Sequence, residues 1–144
     1  MKDADRSLFR CAAALLSQGR AVDSLSRLLT VASLITIAAV PAVPLARTVV
    51  VPAVAVGIAG LAELYFAIRV GFDAALFDSL AQTSDLAGVD VALMQTGLLP
   101  RDKAGRPAAA RIAGAKRLFN LQVLALALQV LILAAAGAVA FTWR

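Results

Sequence analysis

Apolar residues run through this chain in three long blocks, with charged residues gathered between and before them. The blocks extend from Leu28 to Leu45, from Val49 to Val70 and from Leu118 to Trp143. A bilayer crossing takes roughly 20 mainly apolar residues as helix. The pattern therefore predicts an all-α integral membrane protein with three transmembrane helices. Pro44-Leu45-Ala46-Arg47-Thr48 reads as a tight turn between the first two. Pro41 and Pro44 fall at the end of the first block and Pro52 near the start of the second, where a missing N–H costs little. The first two spans are thus expected to form a helical hairpin.

Residues 3–27 carry a different pattern, with a period near 3.6. Arg6, Arg10, Ala13, Ser17, Arg20, Ser24 and Arg27 share one face; Leu8, Ala12, Leu15, Val22, Leu25 and Leu29 share the other. This predicts an amphipathic helix, with Gly19 interrupting it as a C-cap. Such a helix would lie on anionic lipid with Arg6, Arg10, Arg20 and Arg27 near the headgroups, or dock on a protein partner. A cleaved signal peptide ending near Val40-Pro41-Ala42 is not expected, because the preceding region is long and carries acids.

The connection 71–117 divides by charge. Residues 71–100 hold Asp73, Asp78, Asp85 and Asp90 and no base, whereas 101–117 hold six bases and only Asp102. Thr83-Ser84-Asp85 is expected to cap a short helix with Leu86, Val89, Leu93 and Met94 on its apolar face, ended by Gly97 and Pro100. The Pro/Gly-marked run from Pro100 to Pro107 reads as a loop, after which Pro107 suits the start of a helix leading into the third span. The whole is one membrane domain: amphipathic helix 3–27, spans 28–45, 49–70 and 118–143, and a helical cytoplasmic connection 71–117.

Small residues recur along the second span and beyond it, at Ala53, Gly57, Gly60, Ala67, Gly71 and Ala74, a spacing that lets helix backbones approach closely. On the third, Arg111, Gly114, Leu118, Gln122, Ala125, Gln129 and Ile132 share a face. An antiparallel alignment of these faces sets Gly60 opposite Gln129, Asp78 opposite Arg111, and Asp73 near Lys116 and Arg117. It also carries both helices past the membrane into the cytoplasm.

Charge adds direction. The net charge is +5 and the mean hydropathy +0.85, with 61% apolar residues, well above the roughly 45–50% of soluble domains. Twelve Lys and Arg flank the sides holding the N-terminus and the 71–117 connection, against Arg47 and Arg144 on the other. Positive residues stay inside. The N-terminus is therefore expected in the cytoplasm and the C-terminus outside, with Trp143 at the far interface. A bacterial inner membrane fits the Ala/Arg-rich style. The basic excess flanks spans rather than mixing with aromatics, so no nucleic-acid partner is expected.

Chemistry is sparse. The chain has no histidine and a single cysteine, Cys11, which excludes His-based acid–base catalysis, hydrolytic triads and an internal disulfide. It contains no phosphate loop and no metal-ligand cluster, so no enzyme activity, metal or cofactor is expected. Polar side chains inside spans need partners, because lipid offers none. Gln122 and Gln129 share a face, and Thr30, Ser33 and Thr36 form a milder edge. Glu63 is the one ionisable side chain well inside a span. A proton would remove its charge, and it reads either as an ion- or proton-linked site or a contact for a partner subunit's cation, or as a structural group that reaches the cytoplasmic interface or bonds to Gln129 or Arg27.

The expected function is a non-enzymatic accessory or scaffold subunit, or a homo-oligomer, acting through helix contacts with membrane lipid and a membrane-protein partner. A small oligomeric ion- or proton-linked transporter or channel using Glu63 is one alternative, and a holin-like permeabilising protein another.

Overall fold

Prolines, glycines and short turns set the helix boundaries, which the computed structural model describes over residues 3–42, 47–82, 86–97 and 105–142. The chain is all-helical in these residues: α1 (Asp3–Ser17), α2 (Gly19–Ala39), α3 (Arg47–Gln82), α4 (Leu86–Gln95) and α5 (Ala108–Thr142). Three stretches, Ala4–Ala39, Arg47–Gln82 and Ala108–Thr142, are long and apolar enough to cross a membrane.

The helix expected over 3–27 is two helices. α1 stops at Ser17, and the Gln18 N–H donates to Leu15 O at 3.2 Å. The break falls at Gln18, and Gly19 begins α2 rather than adopting the left-handed cap conformation; the glycines with positive φ are Gly97 and Gly105. α2 ends at Ala39, short of the expected Leu45, since Pro41 disfavours helical geometry at Val40. Two turns follow, with the Val40 N–H on Ile37 O and the Ala42 N–H on Ala39 O. α3 holds 36 residues and α5 holds 35. At about 1.5 Å per residue both exceed a hydrocarbon core of about 30 Å, so both run well past the expected span ends at Val70 and Leu118. The turn residues Pro44 to Ala46, the cap Thr83-Ser84-Asp85, the loop from Pro100 to Ala104 and Trp143 lie outside the described residues.

The chain divides into two compact units. One comprises residues 1–18 and 69–118, and the other 19–68 and 119–144.

In the first unit, α1 buries Phe9, Ala12 and Leu16, spaced as neighbours on one helix face. The same core holds Val70, Phe77, Leu80 and Ala81 of α3 and Ala115 of α5. The Phe9 and Phe77 rings lie 5.4 Å apart at 38°. Burying a ring of this size stabilises by about 1.5–3 kcal/mol relative to exposure. The inward face of α1 is therefore Phe9, Ala12 and Leu16, while Leu8 and Leu15 of the expected apolar face are 49% and 44% exposed.

α4 closes onto the start of α5 through Asp90. Its Oδ2 accepts from Arg111 Nη2 at 2.7 Å and from the Gly105 N–H at 2.9 Å. Gly97, at φ 70°, ends α4 with its N–H on Met94 O, and in the first turn of α5 Pro107 O accepts the N–H groups of Ala110 and Arg111. The expected pairing of Arg111 with Asp78 is corrected. Arg111 is taken by Asp90, and Asp78 accepts instead from Gln82 on its own helix at 3.0 Å. The Arg111 hydrogen bond holds the Asp90 carboxyl below the ordinary aspartate range, against the opposing effect of burial and with help from the Gly105 N–H. Because the folded state lowers this carboxyl's pKa, its contribution is complete above the unfolded value and is lost as pH falls through the folded one. We predict that Asp90→Asn lowers stability by about 2 kcal/mol at neutral pH, the size of a hydrogen bond to a charged group. The difference from wild type should shrink on acidification, as read by thermal unfolding across a pH series.

In the second unit, inward residues repeat every seven positions. α2 contributes Gly19, Ser26 and Ser33, α3 contributes Val56 and Glu63, and α5 contributes Gln122 and Gln129. That spacing is the seam of left-handed helix association. The outward positions are large and apolar: Leu28 is 68% exposed, Ile58 65%, Leu131 65% and Phe141 80%.

Candidate functional site

The inward polar residues of the second unit form two layers, one heptad apart along α5. The deeper layer centres on Gln129, which is fully buried. Its Oε1 accepts from Ser26 Oγ at 2.7 Å. Its Nε2 donates to Thr30 Oγ1 at 3.1 Å and to Val56 O at 3.2 Å. Thr30 in turn donates to Ser26 O at 2.8 Å. One amide from α5 thereby ties α2 to α3 with both its oxygen and its nitrogen satisfied.

Gly60 makes room for this layer. A Cβ there would fall 2.7 Å from Gln129 Nε2 and 2.9 Å from Thr30 Cβ, and would collide with Thr30 Oγ1. The expected facing of Gly60 and Gln129 is present. At Gly57 a Cβ would meet only Ser33 Oγ, at 3.3 Å.

The other layer joins Gln122, Glu63 and Gly19. Gln122 Nε2 donates to Glu63 Oε1 at 2.8 Å and to Gly19 O at 2.9 Å. Glu63 and Gln122 are both 0% exposed. Glu63 is thus bonded neither to Gln129 nor to Arg27, which corrects both expected pairings. Arg27 closes on Asp23, one turn away on its own helix, at 2.8 Å. Two acceptor atoms of this layer, Glu63 Oε2 and Gln122 Oε1, have no hydrogen-bond partner among the described residues.

The remaining candidates separate cleanly. Ala125 is buried at 9% in the seam with Gln122 and Gln129. Ala67 is only half-buried, and Gly71 is exposed with nothing within 4 Å of a built Cβ, so it is not a close-approach position. Arg10, Arg20 and Arg27 are exposed and Arg6 is half-buried. Ser26 and Gly19 were absent from the expected site. Their signal was the seven-residue spacing with Ser33, which continues the polar edge of Thr30 and Ser33 toward the start of α2.

A groove of about 250 Å³ lies nearer the turn between α2 and α3, lined by Ser33, Thr36, Val56, Leu133 and mostly small apolar neighbours. Its Ser33 and Thr36 hydroxyls donate to Thr30 O and Ala32 O on their own helix. The polar chemistry of this unit therefore sits in the two layers, not in the groove.

Comparison with protein families, with curated proteins and with solved structures finds no match to this chain.

Proposed function

We propose that the chain is a multi-pass protein of a bacterial inner membrane, with its N-terminus cytoplasmic. In this reading it is a non-enzymatic accessory or scaffold subunit, or a homo-oligomer, that works through helix contacts. The observation that carries this reading is the inversion of the second unit. Its amides, hydroxyls and carboxyl are turned inward onto one another, while Leu28, Ile58, Leu124 and Leu131 face outward at 63–68% exposure. In water such a surface would be costly, and in lipid it costs nothing. Gln129 supports a structural use of the polar seam, because its hydrogen bonds are already spent within the fold.

Extracted from its native membrane in mild detergent, the protein is expected to run by light scattering as an oligomer or with a co-purifying membrane protein. A monomer that brings nothing with it contradicts the proposal. The transport reading draws its support from one feature, the unpartnered oxygen of Glu63. It requires ion or substrate flux that depends on Glu63 in a protein that still assembles.

A further inference from the structure

Glu63 stands out within its layer because its hydrogen bonding is half complete. An ionised carboxylate only accepts, and an amide oxygen only accepts. Gln122 has one NH₂ group, and both its donors are committed, one to Glu63 Oε1 and one to Gly19 O. Turning the amide over would set its oxygen against two other acceptors, so the assignment is fixed by its neighbours. What remains is a pair of buried oxygens, Glu63 Oε2 and Gln122 Oε1, on two groups already in contact, each short of a donor.

The other charged groups of this unit among the described residues do not supply one. On α2, Asp23 and Arg27 are paired with each other and Arg20 is exposed; on α3, Arg47 is exposed at the opposite end; α5 from Phe119 to Thr142 carries no charged residue. None of them bonds to Glu63. A carboxylate without a counter-charge in an apolar bundle is costly, and the same holds for each unmatched buried acceptor.

We propose that Glu63 and Gln122 bind one monovalent cation, a proton or Na⁺, between Glu63 Oε2 and Gln122 Oε1. Either ion answers the same need. A proton on Oε2 supplies an O–H donor, and Na⁺ is a hard cation suited to carboxylate and amide oxygens. The cation completes the layer that joins α3 to α5 and to the start of α2. This goes beyond the scaffold reading and does not depend on any partner, since all the groups involved lie in one unit of one chain.

Glu63→Gln tests it, because the substitution builds in what the cation supplies. The new amide keeps an oxygen for Gln122 Nε2 and offers an N–H to Gln122 Oε1, with no charge to balance. Thermal unfolding of the wild type and the variant in detergent is compared at high pH in potassium buffer without Na⁺. The variant is expected to unfold at the higher temperature. That gap should close as Na⁺ is added at fixed pH if the ion is Na⁺, or as pH is lowered without Na⁺ if it is a proton. Other titrating groups, Asp90 among them, are common to both proteins and cancel in the gap. A variant that unfolds below the wild type throughout, or a gap that neither Na⁺ nor pH closes, overturns the proposal.

Discussion

Gly60→Ala destabilises the protein by about 2–4 kcal/mol, while Gly71→Ala on the same helix is neutral or stabilising by up to about 1 kcal/mol. Alanine is the better helix former at both positions, by roughly 0.5–1 kcal/mol, so propensity alone predicts a gain in each case. Space decides otherwise at position 60. The added methyl falls against Thr30 Oγ1, 2.9 Å from Thr30 Cβ and 2.7 Å from Gln129 Nε2. Thr30 is stiff at χ1 and its hydroxyl is committed to Ser26 O, so moving it out of the way breaks that bond. Overpacking of this kind costs about 1–3 kcal/mol, and the displaced Gln129 then loses hydrogen bonds as well. At position 71 a Cβ meets nothing within 4 Å. Unfolding in detergent, measured for the two variants side by side, checks the contrast.

The second large effect is expected at Gln129. Replacing it with leucine keeps much of the volume but removes the link between Ser26, Thr30 and Val56. Interhelical hydrogen bonds in lipid average about 0.6 kcal/mol and reach roughly 2 in model peptides. With three such bonds lost at once, at 2.7, 3.1 and 3.2 Å, the expected cost is about 2–3 kcal/mol. Gln129→Leu combined with Ser26→Ala should cost less than the sum of the two singles, because each removes part of the same bond. A double-mutant cycle on thermal stability gives that coupling directly, and strict additivity would place Ser26 outside the network.

These effects fall on residues the hydrophobic pattern located unevenly. Ala53, Gly57 and Gly60 lie on the buried face of α3, as their spacing indicates, and Gly60 meets Gln129. Farther along α3 the buried face follows Val70, Phe77, Leu80 and Ala81, while Gly71 and Asp78 point outward. A spacing argument cannot follow that drift when the outward face is as apolar as the inward one, since no moment marks the difference. Small size marked Gly71 as readily as Gly60; only the neighbour across the interface distinguishes them.

Arg111 shows a second kind of illegibility. Aligning the faces of α3 and α5 antiparallel set Asp78 opposite Arg111, but α4 brings Asp90 to 2.7 Å from Arg111. Gly97 and Gly105 both have positive φ, a backbone feature of which hydropathy carries no record. Glu63 was singled out by charge alone, and its partner was missed for a related reason. Gln122 and Gln129 stand seven residues apart on one face, so the sequence offered two equivalent amides for a single carboxylate.

The proposed arrangement is an inward polar seam and an outward apolar surface that meets lipid. Spin labels placed singly along α5 from Leu121 to Ile132, in a Cys11→Ser background reconstituted in bilayers, test it most directly through collision with oxygen and with a water-soluble nickel complex. Oxygen accessibility should rise and fall with a period of about 3.5–3.6 residues, highest at Leu124 and Leu131 and lowest at Gln122, Ala125 and Gln129, with nickel excluded throughout. Nickel reaching Leu124 and Leu131, or accessibility without that period, would contradict it.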